Sequence, residues 1–194
     1  MIRRETATKL LAQRLTNEVI VTNLGQNTID YQQIADRDLN CYTFGSMGQC
    51  SSIAAGIAMA RPDVKVISID GDGSLLMNLG VICTTANLQQ PNLALVILDN
   101  ERYVTTGGQP TAPSGRTSIS GLARGAGFDD DKVIEASNDE ELERAYERII
   151  SEDGPFVLVV KIESGPATGK LDRDLLWYKL RFMRAMEKLP VGAR

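Results

Sequence analysis

The residues with the clearest capacity for chemistry are Asp70-Gly71-Asp72-Gly73-Ser74, which follow one apolar run, and Asn100, which follows another 28 positions beyond Asp72. A carboxylate between two glycines leaves the backbone bare on both flanks, so a phosphate can approach the main chain while Asp72 turns outward toward a hard cation. Mg2+ favours an octahedron of oxygens and usually leaves several places to phosphate and water. Asp72, the Asn100 amide oxygen and a free carbonyl just after Asn100 would supply the protein's share. An Asp-Gly turn would explain the first motif by itself; the paired spacing favours a metal-diphosphate site.

Such a site needs strands that end at one edge. Leu93-Ala94-Leu95-Val96-Ile97-Leu98 is the most continuous apolar run and predicts a central parallel strand buried on both faces. Val64-Lys65-Val66-Ile67-Ser68-Ile69 predicts the strand that delivers Asp72, and residues 75–90 a helix that stops before Pro91. Upstream, residues 2–16 have the spacing of a partly amphipathic helix, and Val19-Ile20-Val21-Thr22 reads as a short buried strand. The loop after it, Asn23-Leu24-Gly25-Gln26-Asn27, falls beyond a strand's carboxyl end, where ligands gather in open α/β sheets.

The small-residue-rich segment 44–60 predicts a helix over 53–60, packed closely against a sheet or another chain. Gly45-Ser46-Met47-Gly48 at its start leaves main-chain donors and acceptors open to a ligand. Further on, residues 105–115 predict a ligand-facing loop, 118–126 a short helix, 132–136 a strand and 156–160 the last core strand. Ser137 with Glu140 fits a capping box for the charged helix that runs through Ile150. A C-terminal helix is expected over 171–190, with core packing favoured slightly over contact with a neighbour. The alternation predicts one domain over 1–194, a three-layer α/β/α architecture around a mainly parallel sheet.

The chain has 194 residues, 43% hydrophobic and 24% charged, enough for a substantial core. A net charge of −4 with scattered basic residues argues against nucleic acid as a partner. Histidine is absent and Cys41, Cys50 and Cys83 form no C-x-x-C pair, so zinc and iron-sulfur sites are disfavoured and buried, reduced thiols are expected. No apolar run reaches the length of a membrane span and the N-terminus lacks a signal-peptide core, so the expected location is cytoplasmic.

Gly71-Asp72-Gly73-Ser74 with Asp99-Asn100 resembles the signature of thiamine-diphosphate-dependent enzymes, and the wider likeness to their diphosphate-binding domain runs to about Gly165. The resemblance implies thiamine diphosphate and Mg2+ as cofactors, with the metal held by Asp72, Asn100 and the Arg102 carbonyl, and Gly73 and Ser74 at the diphosphate. It carries Gly45, Ser46 and Met47 to the aminopyrimidine, where Met47 would wedge the cofactor into its bent form and the Gly45 carbonyl would accept from the amino group. Gly25, Gln26, Val104 and Thr105 complete the implied cofactor-binding set.

A closer resemblance, resting on Asn23-Leu24-Gly25, Gly45-Ser46-Met47-Gly48 and Thr106-Gly107-Gly108-Gln109-Pro110-Thr111, is to the β subunits of sulfopyruvate decarboxylases and the matching half of phosphonopyruvate decarboxylases. It implies decarboxylation of a small 2-oxo acid with an anionic tail, for which Arg102, Arg116 and Lys170 are candidates. In this family a glutamate from a pyrimidine-binding domain starts the chemistry, and the chain has no residues left for that domain. The resemblance therefore implies a heteromer with a pyrimidine-binding α-type subunit. With no histidine, proton transfer falls to the partner, to the cofactor's amino group, or to Thr105, Thr106 and Gln109. An acyloin or acetolactate-type carboligase, a ferredoxin-coupled oxidoreductase and a non-catalytic cofactor-binding regulatory subunit remain as alternatives.

Overall fold

A computed structural model describes residues 1–165, 167 and 169–192. Pro166, where the sequence changes character, lies outside the described residues. The chain begins with α1 (Arg4–Ala12), β1 (Val19–Thr22), α2 (Gln26–Ile34), β2 (Asn40–Tyr42), α3 (Cys50–Ala60) and β3 (Val66–Gly71). It continues with α4 (Asp72–Met77), α5 (Gly80–Leu88), β4 (Leu93–Asp99), β5 (Arg102–Tyr103), β6 (Gln109–Pro110) and α6 (Ile119–Ala126). It closes with β7 (Val133–Ala136), α7 (Asp139–Ser151), β8 (Phe156–Lys161) and α8 (Leu175–Lys188).

Six strands pair in the order β2-β1-β3-β4-β8-β7, every pair parallel. β4 lies between β3 and β8, and all its residues are buried, as its unbroken apolar run requires. Alternate residues feed two cores: Ala94, Val96 and Leu98 face one, with Leu11, Tyr31 and Tyr146, while Leu93, Leu95 and Ile97 face the other, with Ala54, Ile82 and Ala123. These helix layers on both faces give the expected three-layer α/β/α arrangement.

The connection from β1 runs outward to β2, whereas that from β3 runs the opposite way to β4, so the order reverses between β1 and β3. The carboxyl ends of strands flanking such a reversal leave a crevice between diverging loops. Asn23 follows β1, Asp72 follows β3 and Asn100 follows β4, so the fold brings the three loops to one edge.

Several local expectations change. The helix over 75–90 is two helices: Asn78 leaves helical geometry at φ −141°, ψ 57°, and its amide donates to Ser52 Oγ at 3.0 Å. Gly48 packs so close that a Cβ there would lie 3.1 Å from Met77 Cβ, and this contact with α3's entry segment sets the break. The helix also begins earlier, at Asp72 itself. Three-residue β2 is an edge strand that the sequence reading passed over, and the loop over 105–115 holds the β5–β6 hairpin's return strand.

The α7 cap sits one residue later than Ser137: Asn138 Oδ1 accepts from Glu141 N at 3.0 Å, while the Glu141 carboxylate accepts from Ser137 N at 2.8 Å. Of the thiols only Cys50 is buried; Cys83 is exposed. The helix α8 meets the core along one stripe, with Phe182 and Met186 packed against it. Tyr178 is its one buried residue, set edge-on against Tyr42 with ring centroids 5.0 Å apart, while Leu176 and Trp177 face solvent.

Candidate functional site

The crevice between β1 and β3 is a cleft with Asn23, Gln26, Met47, Asp72, Asn100 and Thr105 on its walls. Asp72 is only 2% exposed yet makes no ion pair among the described residues. The Thr111 hydroxyl donates to Asp72 Oδ2. Burial pushes the Asp72 carboxyl up to about 6, the Thr111 hydrogen bond opposes this, and the nearby Asp99 charge adds to it. A buried carboxylate beside a second carboxylate, with no cation of its own, is where a bound divalent ion relieves the most electrostatic cost.

The other expected oxygens face the same cleft. Asn100 is half-buried, and its Oδ1 accepts from Arg102 N at 3.0 Å, which leaves a second lone pair. Glu101 O accepts from Thr111 N at 3.0 Å, so the neighbouring Arg102–Pro110 pair is a non-hydrogen-bonded one, and the Arg102 carbonyl is turned away from the facing strand. No group of three or more His, Cys, Asp or Glu side chains gathers among the described residues. The set is instead one carboxylate, one amide and one carbonyl, the hard oxygens that suit Mg2+ and leave room for phosphate.

Gly73 lines the cleft and is also required to be bare by packing. A Cβ on Gly73 would lie 2.2 Å from Tyr103 Cε1, so the bare backbone makes room for the hairpin's tyrosine. Ser74 Oγ accepts from Gly48 N at 2.9 Å and so ties the 45–48 loop to the Asp72 turn. Asp70 points into the protein: its Oδ2 accepts from Ser51 Oγ at 3.0 Å, and burial raises its carboxyl above the usual range.

Of the sequence candidates, Gln26, Met47, Asp72, Gly73, Ser74, Asn100, Arg102, Val104, Thr105 and Thr106 line the cleft. Gly25 stands directly behind it, where a Cβ would come 2.8 Å from Thr105 Oγ1. Gly45 and Ser46 are exposed and off the cleft wall; Ser46 has a left-handed φ of 58°. Gln109 is also outside, folded back so that its amide would meet a Cβ on Gly107 at 2.7 Å. Of the candidate cations, Arg102 lines the cleft, whereas Arg116 and Lys170 are exposed elsewhere.

Arg4 is a cleft residue that the sequence reading missed. It is buried, its guanidinium pairs with Asp30 and donates to Gly165 O at 3.0 Å and Gln26 Oε1 at 3.4 Å, and it closes one wall. An arginine near the start of an amphipathic helix looks like a solvated residue; only a buried Asp30 on the next helix reveals it. Tyr103 is likewise hidden in a loop, whereas Asn23 lies in the loop that the sequence places at the binding edge.

The description "Thiamine pyrophosphate enzyme, C-terminal TPP binding domain" fits residues 23–160 of the chain. Sulfopyruvate decarboxylase subunit beta of Methanocaldococcus jannaschii is 37% identical over 172 residues, covering 88% of this chain and 89% of that protein. Phosphonopyruvate decarboxylase of Streptomyces viridochromogenes is 30% identical over 162 residues, covering 83% of this chain but 40% of the longer relative. In structure, the thiamine diphosphate-dependent 4-hydroxybenzoylformate decarboxylase of Rhodococcus jostii RHA1 superposes with a TM-score of 0.69 at 19% identity, over 85% of this chain and 33% of that one, which speaks for the fold alone. With the domain match spanning the cleft from Asn23 through β8, the chain belongs to the thiamine pyrophosphate enzymes and carries their C-terminal cofactor-binding domain.

Proposed function

We propose that this chain is the cofactor-binding subunit of a cytoplasmic, heteromeric decarboxylase that uses thiamine diphosphate and Mg2+ on a small 2-oxo acid with an anionic tail. The observation that carries the reading is the buried, unpaired Asp72 carboxylate facing the same cleft as Asn100 and Arg102. Asp72 Oδ atoms, Asn100 Oδ1 and the Arg102 carbonyl would hold the metal, with Ser74 nearby at the diphosphate. Bound there, thiamine diphosphate supplies the nucleophilic carbon and the electron sink for loss of CO2.

The chain's own residues then orient and enclose. Met47 stands on the cleft wall as an apolar support, and Arg102 offers a cation toward an anionic substrate group. Thr105 and Thr106, exposed on the same wall, are the hydroxyls placed to hold or pass a proton. Asp72 is the only carboxylic acid on the cleft wall among the described residues, and there it would serve as a metal ligand. An acid to start the reaction must therefore come from elsewhere, which supports a partner subunit; the beta-subunit relative of nearly the same length agrees.

The test is decarboxylation of a 2-oxo-acid panel, including sulfopyruvate and phosphonopyruvate, by the full chain alone and after co-expression with a candidate pyrimidine-binding subunit. Turnover is expected only from the pair. Robust turnover by the chain alone would overturn the heteromeric reading, and none from any pairing would overturn the catalytic one.

A further inference from the structure

The oxygens assigned to the metal sit on a turn that is itself braced from behind. Lys161, the last residue of β8, is in register with Asp99 at the end of β4. Its ammonium lies 2.6 Å from Asp99 Oδ2 and 3.0 Å from Glu101 Oε1. Asp99 Oδ1 in turn accepts from Glu101 N at 3.1 Å. Glu101 has a left-handed φ of 60°, a conformation that costs energy for a residue with a side chain and persists only where its surroundings hold it.

The braced turn reaches Asp72 by a second route. Glu101 O accepts from Thr111 N at 3.0 Å, and the Thr111 hydroxyl donates to Asp72. One cation therefore spans both acids that flank Asn100, and through Thr111 the same network meets the carboxylate across the cleft. Lys161 also balances part of the buried Asp99 charge, which adds to the repulsion felt by Asp72.

We propose that Lys161 is a positioning residue for the metal, fixing the Asp99-Glu101 turn so that Asn100 Oδ1 and the Arg102 carbonyl meet the cation at Asp72. This inference rests on the metal assignment made above. Its role is geometric: Mg2+ dehydrates reluctantly and demands near-ideal octahedral placement, whereas Ca2+ accepts looser and more variable shells. Loosening the turn therefore penalises Mg2+ more than Ca2+, and a general loss of stability would not separate the two ions.

The experiment titrates thiamine diphosphate into the full chain by calorimetry, with Mg2+ or Ca2+ present in turn. Because Lys161→Met leaves Asp99 buried without its cation, it is paired with Lys161→Met/Asp99→Asn, which removes both charges, and with Lys161→Arg. In the double variant, Mg2+-supported affinity is expected to fall about ten- to a hundredfold, the range for supporting residues around a metal. Ca2+-supported affinity should fall less than about threefold, and Lys161→Arg should keep Mg2+ affinity within about threefold of the parent. Equal losses with both ions, or none with either, would overturn the positioning role while leaving the site itself standing. A parent chain that binds the cofactor with neither ion would instead remove the site assignment and this inference with it.

Discussion

Thr111 donates its hydroxyl to Asp72 across 39 positions of sequence, and both residues are buried. The contact joins the hairpin to the start of α4, so one hydrogen bond orients the central carboxylate and docks the loop that forms the cleft's outer wall. Thr111→Val keeps the shape and removes the donor. The expected result is weaker Mg2+-supported thiamine diphosphate binding, by the ~1.5–3 kcal/mol of a hydrogen bond to a charged group, with Thr111→Ser close to the parent. Calorimetric affinities equal in Thr111→Val and the parent would show that Asp72 needs no such orientation.

Gly73 offers a test of packing instead of ligand contact. An added Cβ meets Tyr103 at 2.2 Å and Thr111 Cγ2 at 3.1 Å. Gly73→Ala should therefore cost about 1–3 kcal/mol by overpacking and loosen the hairpin. Tyr103→Ala should make the same change much cheaper, since only the looser contact with Thr111 then remains. Urea unfolding of the two single variants and the double variant measures this coupling; simple additivity would mean that the ring does not depend on the glycine.

The sheet and the site differ in how far the sequence reveals them. β4 and β8 announce themselves because a strand buried on both faces needs an unbroken apolar run, and Asp72 with Asn100 is legible because each follows such a run directly. β2 is invisible for the opposite reason: Asn40-Cys41-Tyr42 is short and mixed, and is a strand only because Ile20 and Thr22 pair with it. The break at Asn78 follows from Gly48's approach, a tertiary contact that no local propensity reports. Arg4, Tyr103 and Lys161 act through partners 22 to 161 positions away, or through ring packing, so their roles appear only once the fold brings those partners together.

The Arg4–Asp30 pair closes the cleft from the amino-terminal side, and Asp30 is 1% exposed. Burial raises the Asp30 carboxyl even against the Arg4 hydrogen bond, so removing the guanidinium leaves a costly charge. Arg4→Met should lose roughly 3–5 kcal/mol, whereas Arg4→Met/Asp30→Leu should recover most of it, because an apolar pair can replace a buried ion pair. The double variant should still bind cofactor poorly, since Gln26 and Gly165 lose their common donor. Denaturant midpoints and cofactor titrations separate the two effects, and a single variant as stable as the parent would contradict the buried pair.

Arg181 holds α8 to the rest of the fold through Asp36, donating from two nitrogens at 2.7 and 2.6 Å, with its guanidinium 4.5 Å from the ring centre of Trp177. Burial pushes the Asp36 carboxyl up, but hydrogen bonds from Arg181 and Tyr42 outweigh it and hold it below the ordinary 3.8. An acid lowered in the folded state adds stability above its unfolded value and loses it as pH falls through the folded one. Attachment of α8 should thus be constant near neutrality and weaken below about pH 4. Asp38 stands 3.7 Å from Arg181 Nε, and Asp172 accepts from the Tyr178 hydroxyl at 3.2 Å, so both also face α8. Trp177 is the only tryptophan, so its emission reports the helix directly. Its fluorescence should change on acidification in the parent, and Asp36→Asn should show the altered emission already at neutral pH with a flattened acid transition. Identical acid titrations in the two proteins would rule out Asp36 as the group that anchors the helix.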